Sequence, residues 1–388
     1  MRHLSRIDQV AFADLVERAH DVQFSDQFSE KGSFTKFNRR GREYWYHRTL
    51  EPQEGGAPKL KAQYVGPVDD PQVTKRVESS MLLKADYVAR RKLASQLRRS
   101  GLPTPTRIEG EIIDRLAKNG LFRLRATLVG SHAFQAYGGL LGVKLNEDLY
   151  RTEDVDIAQF HSISVLLDDA MRDFGDILQE VDPTFAPIFH GFSDSLVAGY
   201  RNREGTKVEV VTPNRSNAAY GYKLARMPAL GGIGEQPLPF LDFLIHEPVR
   251  SVILHDAGVA VVVPAPERFA VHKMILSTRR HNQVSGRSKV SKDLAQAASL
   301  IAALTETKQD FELGSAWIEA WNRGPKWRKH LAISSLRLPD EEFQMLEDAV
   351  VNVERLSGLD PMAHGLGEGR EGVRLLRERS SGGRRPGA

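Results

Sequence analysis

The sequence predicts an α+β fold: a mixed-sheet core with an N-terminal helix and hairpin unit and a helical C-terminal region. Two observations support this prediction. Residues 121–263 contain short segments that alternate apolar and polar side chains, as strands do, whereas both flanks place apolar residues at helical spacing. Clusters of glycine, proline and charged residues separate the segments and indicate turns.

Length and composition narrow the class of protein. A chain of 388 residues exceeds one ordinary domain, and 41% hydrophobic with 27% charged residues is typical of soluble globular proteins. The absence of cysteine excludes disulfides, thiolate metal sites and cysteine nucleophiles. The longest apolar run, 259–263, is far shorter than the roughly 20 residues of a membrane span, and the N-terminus lacks a signal-peptide pattern. We therefore expect a cytoplasmic protein without membrane contact.

Residues 1–105 form a predicted accessory domain. An amphipathic helix opens it, and a hairpin follows from the aromatic segment 41–46, the turn at 54–56 and the extended run 59–65. Tyr44 and Tyr46 project to one face of the first strand, while Trp45 projects to the other and is assigned to the core. The two tyrosines could equally pack in the hairpin or stack on bases beside the nearby arginines.

A charged helix is predicted from about Gln72 to Ser100, ending before Gly101 and Pro103. It carries several cations that could contact phosphates, among them Arg90, Arg91, Arg98 and Arg99. The net charge of +4 and the pI near 9.1 permit a phosphate-rich partner without requiring one.

Residues 106–264 form the predicted core. Alternation predicts a strand over 122–129, which the Gly130-Ser131 pair ends, then a helix over 132–141 and a short strand over 154–160. Two hairpins follow, formed by 196–202 with 206–212 and by 251–254 with 259–263. Residues 265–365 are predicted to be helical, with helices starting near 266, 289, 311 and 340. The Gly-, Arg- and Ser-rich end, 366–388, is predicted to be a disordered basic tail.

The Gly130-Ser131 turn and the acids that follow it carry the predicted chemistry. A glycine and a serine at a strand end let the backbone approach a phosphate, and the following helix directs its free N–H groups at the same anion. Asp154 and Asp156 lie two residues apart on a strand and so project to one face. Two such carboxylates repel each other unless a cation such as Mg²⁺ lies between them.

Glu209 is the predicted third acid. It lies between valines in the next strongly apolar strand, which places it either on the exposed sheet face or at a site. Four neighbouring acids remain alternatives to it: Glu180, Asp182, Asp194 and Glu204. With three carboxylates, two cations could activate the attacking hydroxyl and stabilise the leaving oxygen.

These motifs resemble the nucleotidyltransferase fold of the DNA polymerase β superfamily, in which Gly-Ser, a helix, Asp-x-Asp and a later acid follow in this order. The segment 151–157, Arg-Thr-Glu-Asp-Val-Asp-Ile, is similar to the motif of the bacterial abortive-infection and toxin-type nucleotidyltransferases. The resemblance covers residues from about 121 to 305. Two features depart from it: the loop 142–150 is long, and the third acid is glutamate where aspartate is more common.

The resemblance implies several further roles. Lys273, in the segment 264–273, corresponds to a lysine that contacts nucleotide phosphates, and the pair Lys292-Asp293 resembles a charged pair on the next helix. Arg279 is a second candidate for the triphosphate, although a charged helix end explains it equally well. Asp154, Asp156 and Glu209 would bind Mg²⁺, or Mn²⁺ in its place, while Gly130 and Ser131 cradle phosphate.

The predicted function is therefore metal-dependent transfer of a nucleoside monophosphate from an NTP, such as ATP, to a hydroxyl. The expected acceptor is RNA, in particular a transfer-RNA end in a toxin-like reaction, with a partner antitoxin left open. Two alternatives remain: nucleotidylation of a small molecule or protein, and a noncatalytic nucleic-acid-binding module with the same fold. The sequence does not indicate the oligomeric state.

Overall fold

The computed structural model describes residues 2–22, 32–39, 42–53, 56–150, 154–167, 170–189, 196–214, 225–279, 286–360 and 362–381. The fold is α+β with a mixed sheet, as predicted. No helix in these segments is both long and apolar enough to cross a bilayer.

The N-terminal part is built from two helices and a small sheet. β1 (Arg2–His3) precedes α1 (Arg6–Val22), and an antiparallel sheet of β2 (Ser33–Arg39), β3 (Arg42–Gln53) and β4 (Gly56–Pro67) is followed by α2 (Pro71–Arg99). The predicted hairpin and long helix are confirmed, and β2 is a third strand that was not predicted. Trp45 is buried, as expected, and its Nε1 donates to Thr74 Oγ1 of α2 at 3.2 Å.

The central sheet holds most of the predicted core. After α3 (Arg107–Lys118) its strands are β5 (Thr127–Val129), β7 (Asp154–Ala158), β8 (Ala186–Ile188), β9 (Gly199–Arg201), β10 (Lys207–Pro213), β11 (Ala225–Arg226) and β12 (Gly234–Leu238). β10 runs parallel to β7 and β12, while β5 runs antiparallel to β7 and β9 antiparallel to β10. The hairpin predicted around residues 203–205 is therefore confirmed by β9 and β10.

Short helices and a second hairpin complete this part of the chain. α4 (Gly130–Leu141) follows β5 and leads into β6 (Val143–Lys144), which pairs with β1. The remaining elements here are α5 (His161–Leu166), α6 (Phe174–Val181), α7 (Leu241–Leu244), and the antiparallel pair β13 (Val249–Ile253) and β14 (Val259–Val263). Three-residue 3₁₀ helices lie at Glu147–Leu149 and Pro228–Leu230.

The strand predicted over 122–129 is much shorter in the structure. Residues 120–125 form turns, in which Leu124 N donates to Gly120 O and Ala126 N to Leu121 O, and only β5 is extended. Arg125 adopts a positive φ of 66°. The apolar residues of this segment reach the main core from turns, so their alternation with arginines does not reflect a strand.

The C-terminal region is helical, as predicted: α8 (Pro266–Arg279), α9 (Gly286–Glu306), α10 (Asp310–Asn322), α11 (Pro325–Ser335) and α12 (Asp340–Leu356). The prediction of a disordered tail over 366–388 is wrong for α13 (Gly369–Ser381). Val373 of this helix is buried, and Glu347 accepts the backbone N–H groups of Gly367 and Gly369 at 2.8 Å each. These contacts attach α13 to α12. Residues 382–388 lie outside the described part of the chain.

Candidate active site

The Gly130-Ser131 turn joins β5 to α4 directly beside the acids of β7. Gly130 has a φ of +67°, and a Cβ at this position would lie closer than 3.0 Å to Asp156 Oδ2. Both the backbone conformation and the close approach therefore require glycine. No side chain caps the N-terminus of α4 at Val129. This helix start thus presents backbone N–H groups next to a carboxylate-lined surface, as an anion-binding turn does.

The register of the sheet brings the three predicted acids to one place. Asp156 pairs with Glu209 across β7 and β10 and with Val129 across β5, and Asp154 pairs with Lys207. Because residues paired in register project to the same face, Asp154, Asp156 and Glu209 form one cluster at the Gly130-Ser131 end of β5.

Electrostatics shows how closely these acids interact. The pKa of Asp156 is raised by burial, and further by the negative charges of Asp154 and Glu209, while His132 and Lys273 oppose the shift. Each carboxylate is therefore near enough to disfavour the ionised form of Asp156.

Three lysines surround the cluster and are held in different ways. Lys207 Nζ lies 2.5 Å from Glu209 Oε1. Lys273 Nζ donates to Asp293 Oδ1 at 2.7 Å, and both side chains are almost fully buried. Lys292 Nζ donates to Ser131 Oγ at 2.9 Å. Of the two lysines singled out in the sequence, Lys292 thus contacts the Gly-Ser turn, whereas Lys273 forms a buried ion pair close to Asp156.

Arg279 lies elsewhere on α8. It is exposed at the end of the helix, with its guanidinium 5.2 Å from the centre of the Phe240 ring and its charge acting on His330. At 1.5 Å per residue, Arg279 is about 9 Å further along the helix axis than Lys273. The structure therefore groups Arg279 with Phe240 and His330 and places Lys273 with the acids.

His132 and Glu109 were not recognised from the sequence as part of this site. His132 is fully buried and its Nε2 lies 3.4 Å from Glu109 Oε2, which is long for a hydrogen bond. Although burial raises the pKa of Glu109, His132 and the amide of Thr106 lower it overall. The sequence did carry one signal that involves Glu109: Thr106-x-x-Glu109 is a capping-box pattern, and the structure contains this capping box.

The donor set fits a hard divalent cation, because three carboxylates offer the oxygen ligands that Mg²⁺ and Mn²⁺ prefer. Burial and the negative charges of Asp154 and Glu209 raise the pKa of Asp156, and a bound cation would oppose this shift. Within the described residues, however, no three His, Asp or Glu side chains are already gathered closely enough to hold a metal. Lys207 supplies the positive charge at Glu209 instead.

Comparison with known proteins agrees with this arrangement. A family model described as Nucleotidyltransferase matches residues 107–322, more than half of the chain. Comparisons with curated proteins and with solved structures gave no significant match. The matched span runs from the first residue of α3 to the last of α10, so it contains the Gly-Ser turn, the three acids and all three lysines. The chain therefore belongs to this nucleotidyltransferase family.

Proposed function

We propose that the protein transfers a nucleoside monophosphate from an NTP to a hydroxyl of RNA, with release of pyrophosphate. The observation that carries the proposal is the register of β7 and β10, which sets Asp156 opposite Glu209 beside Gly130 and Ser131. A phosphate-approaching turn next to clustered carboxylates is the arrangement that metal-assisted phosphoryl-type transfer needs.

The residues have distinct roles in this proposal. Asp154, Asp156 and Glu209 would hold Mg²⁺ or Mn²⁺, which when bound neutralises the triphosphate and lowers the pKa of the attacking hydroxyl. Gly130 and Ser131 bind phosphate through backbone N–H groups and the serine hydroxyl. Lys292, already at Ser131 Oγ, places its charge on the same phosphate. Lys273 and Asp293 support the cluster from the buried side, where the lysine charge favours an ionised Asp156.

We favour RNA as the acceptor, and a transfer-RNA end as the first to test, because segment 151–157 is similar to the toxin-type motif within the polymerase β superfamily. Arg151, Thr152 and Glu153 of that motif lie outside the described residues, so the proposal depends on Asp154 and Asp156. The basic net charge of the chain is consistent with a phosphate-rich acceptor.

The test is incubation of the full-length protein with each labelled NTP, MgCl₂ and total cellular RNA, followed by separation of RNA, protein and small molecules. We expect label in RNA, and none with the Asp156→Asn variant, whose side chain keeps its volume but loses its charge. Label in protein or in a small molecule would replace RNA as the acceptor. If the protein labels nothing but still binds RNA, it is a noncatalytic binding module.

A further inference from the structure

The sheet formed by β2, β3 and β4 has two faces of different character. Residues paired across antiparallel strands project to the same face. Trp45 pairs with Gly66, whose Cα lies against Val73 of α2. The indole Nε1 of Trp45 also donates a hydrogen bond to Thr74 of α2. This face is therefore covered by α2, and the alternate residues of β3 project to the opposite side.

The opposite side carries four aromatic rings, Phe37, Tyr44, Tyr46 and Tyr64, which we call the aromatic face. Tyr46 makes edge-to-face contacts with Phe37 and Tyr64, with ring centres 5.2 Å and 5.6 Å apart, and Tyr44 lies 6.0 Å from Tyr64. Phe37 and Tyr64 remain 41% and 53% exposed. A contiguous group of rings, two of them exposed, is unusual on a folded surface and is typical of an interaction site.

The charge of the sheet indicates the kind of ligand. Its three strands contain six lysine or arginine residues and only two glutamates, an excess of four positive charges that equals that of the whole chain. Arg42 and Arg48 flank the two tyrosines of β3 and share their face, whereas Glu43 and Lys36 project with Trp45 to the other. Arg42 lies 5.8 Å from the centre of the Tyr44 ring and pairs with Asp69. The face therefore suits a flexible polyanion with flat apolar groups.

We propose that the aromatic face binds single-stranded RNA, with bases stacked on Tyr64 and Phe37 and phosphates contacted by Arg42 and Arg48. Exposed aromatic side chains on a sheet are a recurrent platform for two or three unpaired bases. A duplex would not use the rings, because its bases are already stacked. The choice of RNA rests on the proposed function, for which this face would be the surface that holds the acceptor.

Binding is measured with the full-length protein by fluorescence anisotropy of a labelled short oligouridine, without NTP. Tyr64→Leu and Phe37→Leu keep an apolar side chain but remove the ring, and each is expected to weaken binding about tenfold, since stacking contributes about 1–3 kcal/mol per base. Tyr64→Phe keeps the ring and should stay within about twofold of the wild type. Phe311→Leu, at a 48% exposed ring on α10, is the matched control and should leave the Kd unchanged.

Three results would overturn the proposal: wild-type affinity in both leucine variants, equal affinity for duplex and single-stranded RNA, or displacement of RNA by an uncharged apolar peptide. The last would identify a protein-docking face instead. Asp156→Asn separates this proposal from the proposed function, because it should abolish transfer and leave the Kd for RNA unchanged. Ring-dependent binding without any transfer would reject the function and keep the face, whereas transfer to RNA with unaltered Kd in the leucine variants would reject the face alone.

Discussion

Asp156 is the residue at which the sheet, the Gly-Ser turn and the charges of the site meet. Its carboxylate lies against Gly130, and its backbone pairs with Glu209 across β7 and β10. Burial and the charges of Asp154 and Glu209 disfavour the ionised form of this carboxyl. The cluster is therefore under electrostatic strain when all three acids are ionised, and a bound cation would relieve that strain.

Asp156→Asn should reduce transfer at least about a hundredfold while raising stability without divalent cations. Because the pKa of Asp156 is raised in the folded state, its stabilising contribution is present below the unfolded pKa and is lost as pH rises through the folded value. The Tm of the variant should therefore exceed that of the wild type increasingly as pH rises toward neutrality. Thermal unfolding at several pH values in EDTA measures this difference.

Addition of MgCl₂ to the same samples provides the control. It should raise the Tm of the wild type, because cation binding stabilises the folded state by mass action, and change that of Asp156→Asn much less. An equal response of both proteins would contradict the assignment of Asp156 as a ligand.

Lys273 and Lys292 should differ in what they support. Lys273→Met removes the buried cation that pairs with Asp293 and should lower the free energy of unfolding by about 3–5 kcal/mol. The double variant Lys273→Met/Asp293→Asn removes the remaining charge as well and should recover part of this loss. Lys292→Met should instead raise the KM for NTP with little change in stability, since its ammonium reaches Ser131 from a half-buried position. Urea unfolding and NTP titrations of the three variants separate these effects. A large KM increase with unchanged stability in Lys273→Met would return the phosphate contact to Lys273.

The sequence was enough to predict that the three acids lie together, but not to predict the contacts of the lysines. Asp154, Asp156 and Glu209 could be recognised because the order along the chain is characteristic: a Gly-Ser turn, a pair of aspartates and a later acid. The side-chain alternation of a strand also places the two aspartates on one face. The pairing of Lys273 with Asp293, and of Lys292 with Ser131, depends on how α9 packs across α8 and α4. His132 was missed for the same reason, since its partner Glu109 lies on a different helix.

Among the elements, the β5–α4 turn is the one whose geometry the site requires. Gly130→Ala should abolish transfer and destabilise the fold by about 1–3 kcal/mol, because its φ of +67° strains any other residue and its Cβ would displace the Asp156 carboxylate. Gly205→Ala is the matched control: its φ is +96°, but a Cβ there meets nothing within 4 Å. Gly205→Ala should lower stability because the backbone strain is similar, and it should retain full transfer activity. Equal activities of the two variants would mean that the close approach to Asp156 is irrelevant to catalysis.

Elements with strong periodicity were predicted well and elements defined by tertiary packing were not. α2, α8 and α9 carry clear helical patterns and appear nearly where expected, and the β9–β10 and β13–β14 hairpins follow from their turns. The turns at 120–125 have the same alternation of buried and exposed side chains as a strand, because the exposed Arg123 and Arg125 lie between buried apolar residues. α13 was predicted as a tail because its composition is polar, yet burial of Val373 and the cap from Glu347 hold it in place.

At the scale of the whole molecule, α1 of the predicted accessory domain packs directly on the predicted core. Phe12 of α1 lies against Gly139 of α4, and Leu15 lies against Gly258 in the β13–β14 turn. Arg90, one of the four α2 arginines expected to contact phosphates, is buried instead. It pairs with Asp86 and donates to the carbonyls of Ala257 and Gly258. α1 thus packs against α4, the helix that begins at the Gly-Ser turn, and α2 holds the β13–β14 turn.

A chain that begins at Pro105 should therefore fail to fold into a stable catalytic core. Its loss of α1 would expose the apolar surface of α4 and the β13–β14 hairpin, including Val252, Leu254 and Ala260. Leu15→Ala in the full chain measures the same contact on a smaller scale and should cost about 2–5 kcal/mol, because Leu15 is fully buried. Ile7→Ala, at a 74% exposed position of the same helix, is the control and should change stability little. Chemical denaturation gives the free energies, and the KM for NTP of folded Leu15→Ala should match the wild type. A truncated protein that unfolds cooperatively at the wild-type Tm would show that α1 is dispensable and that the N-terminal unit is independent after all.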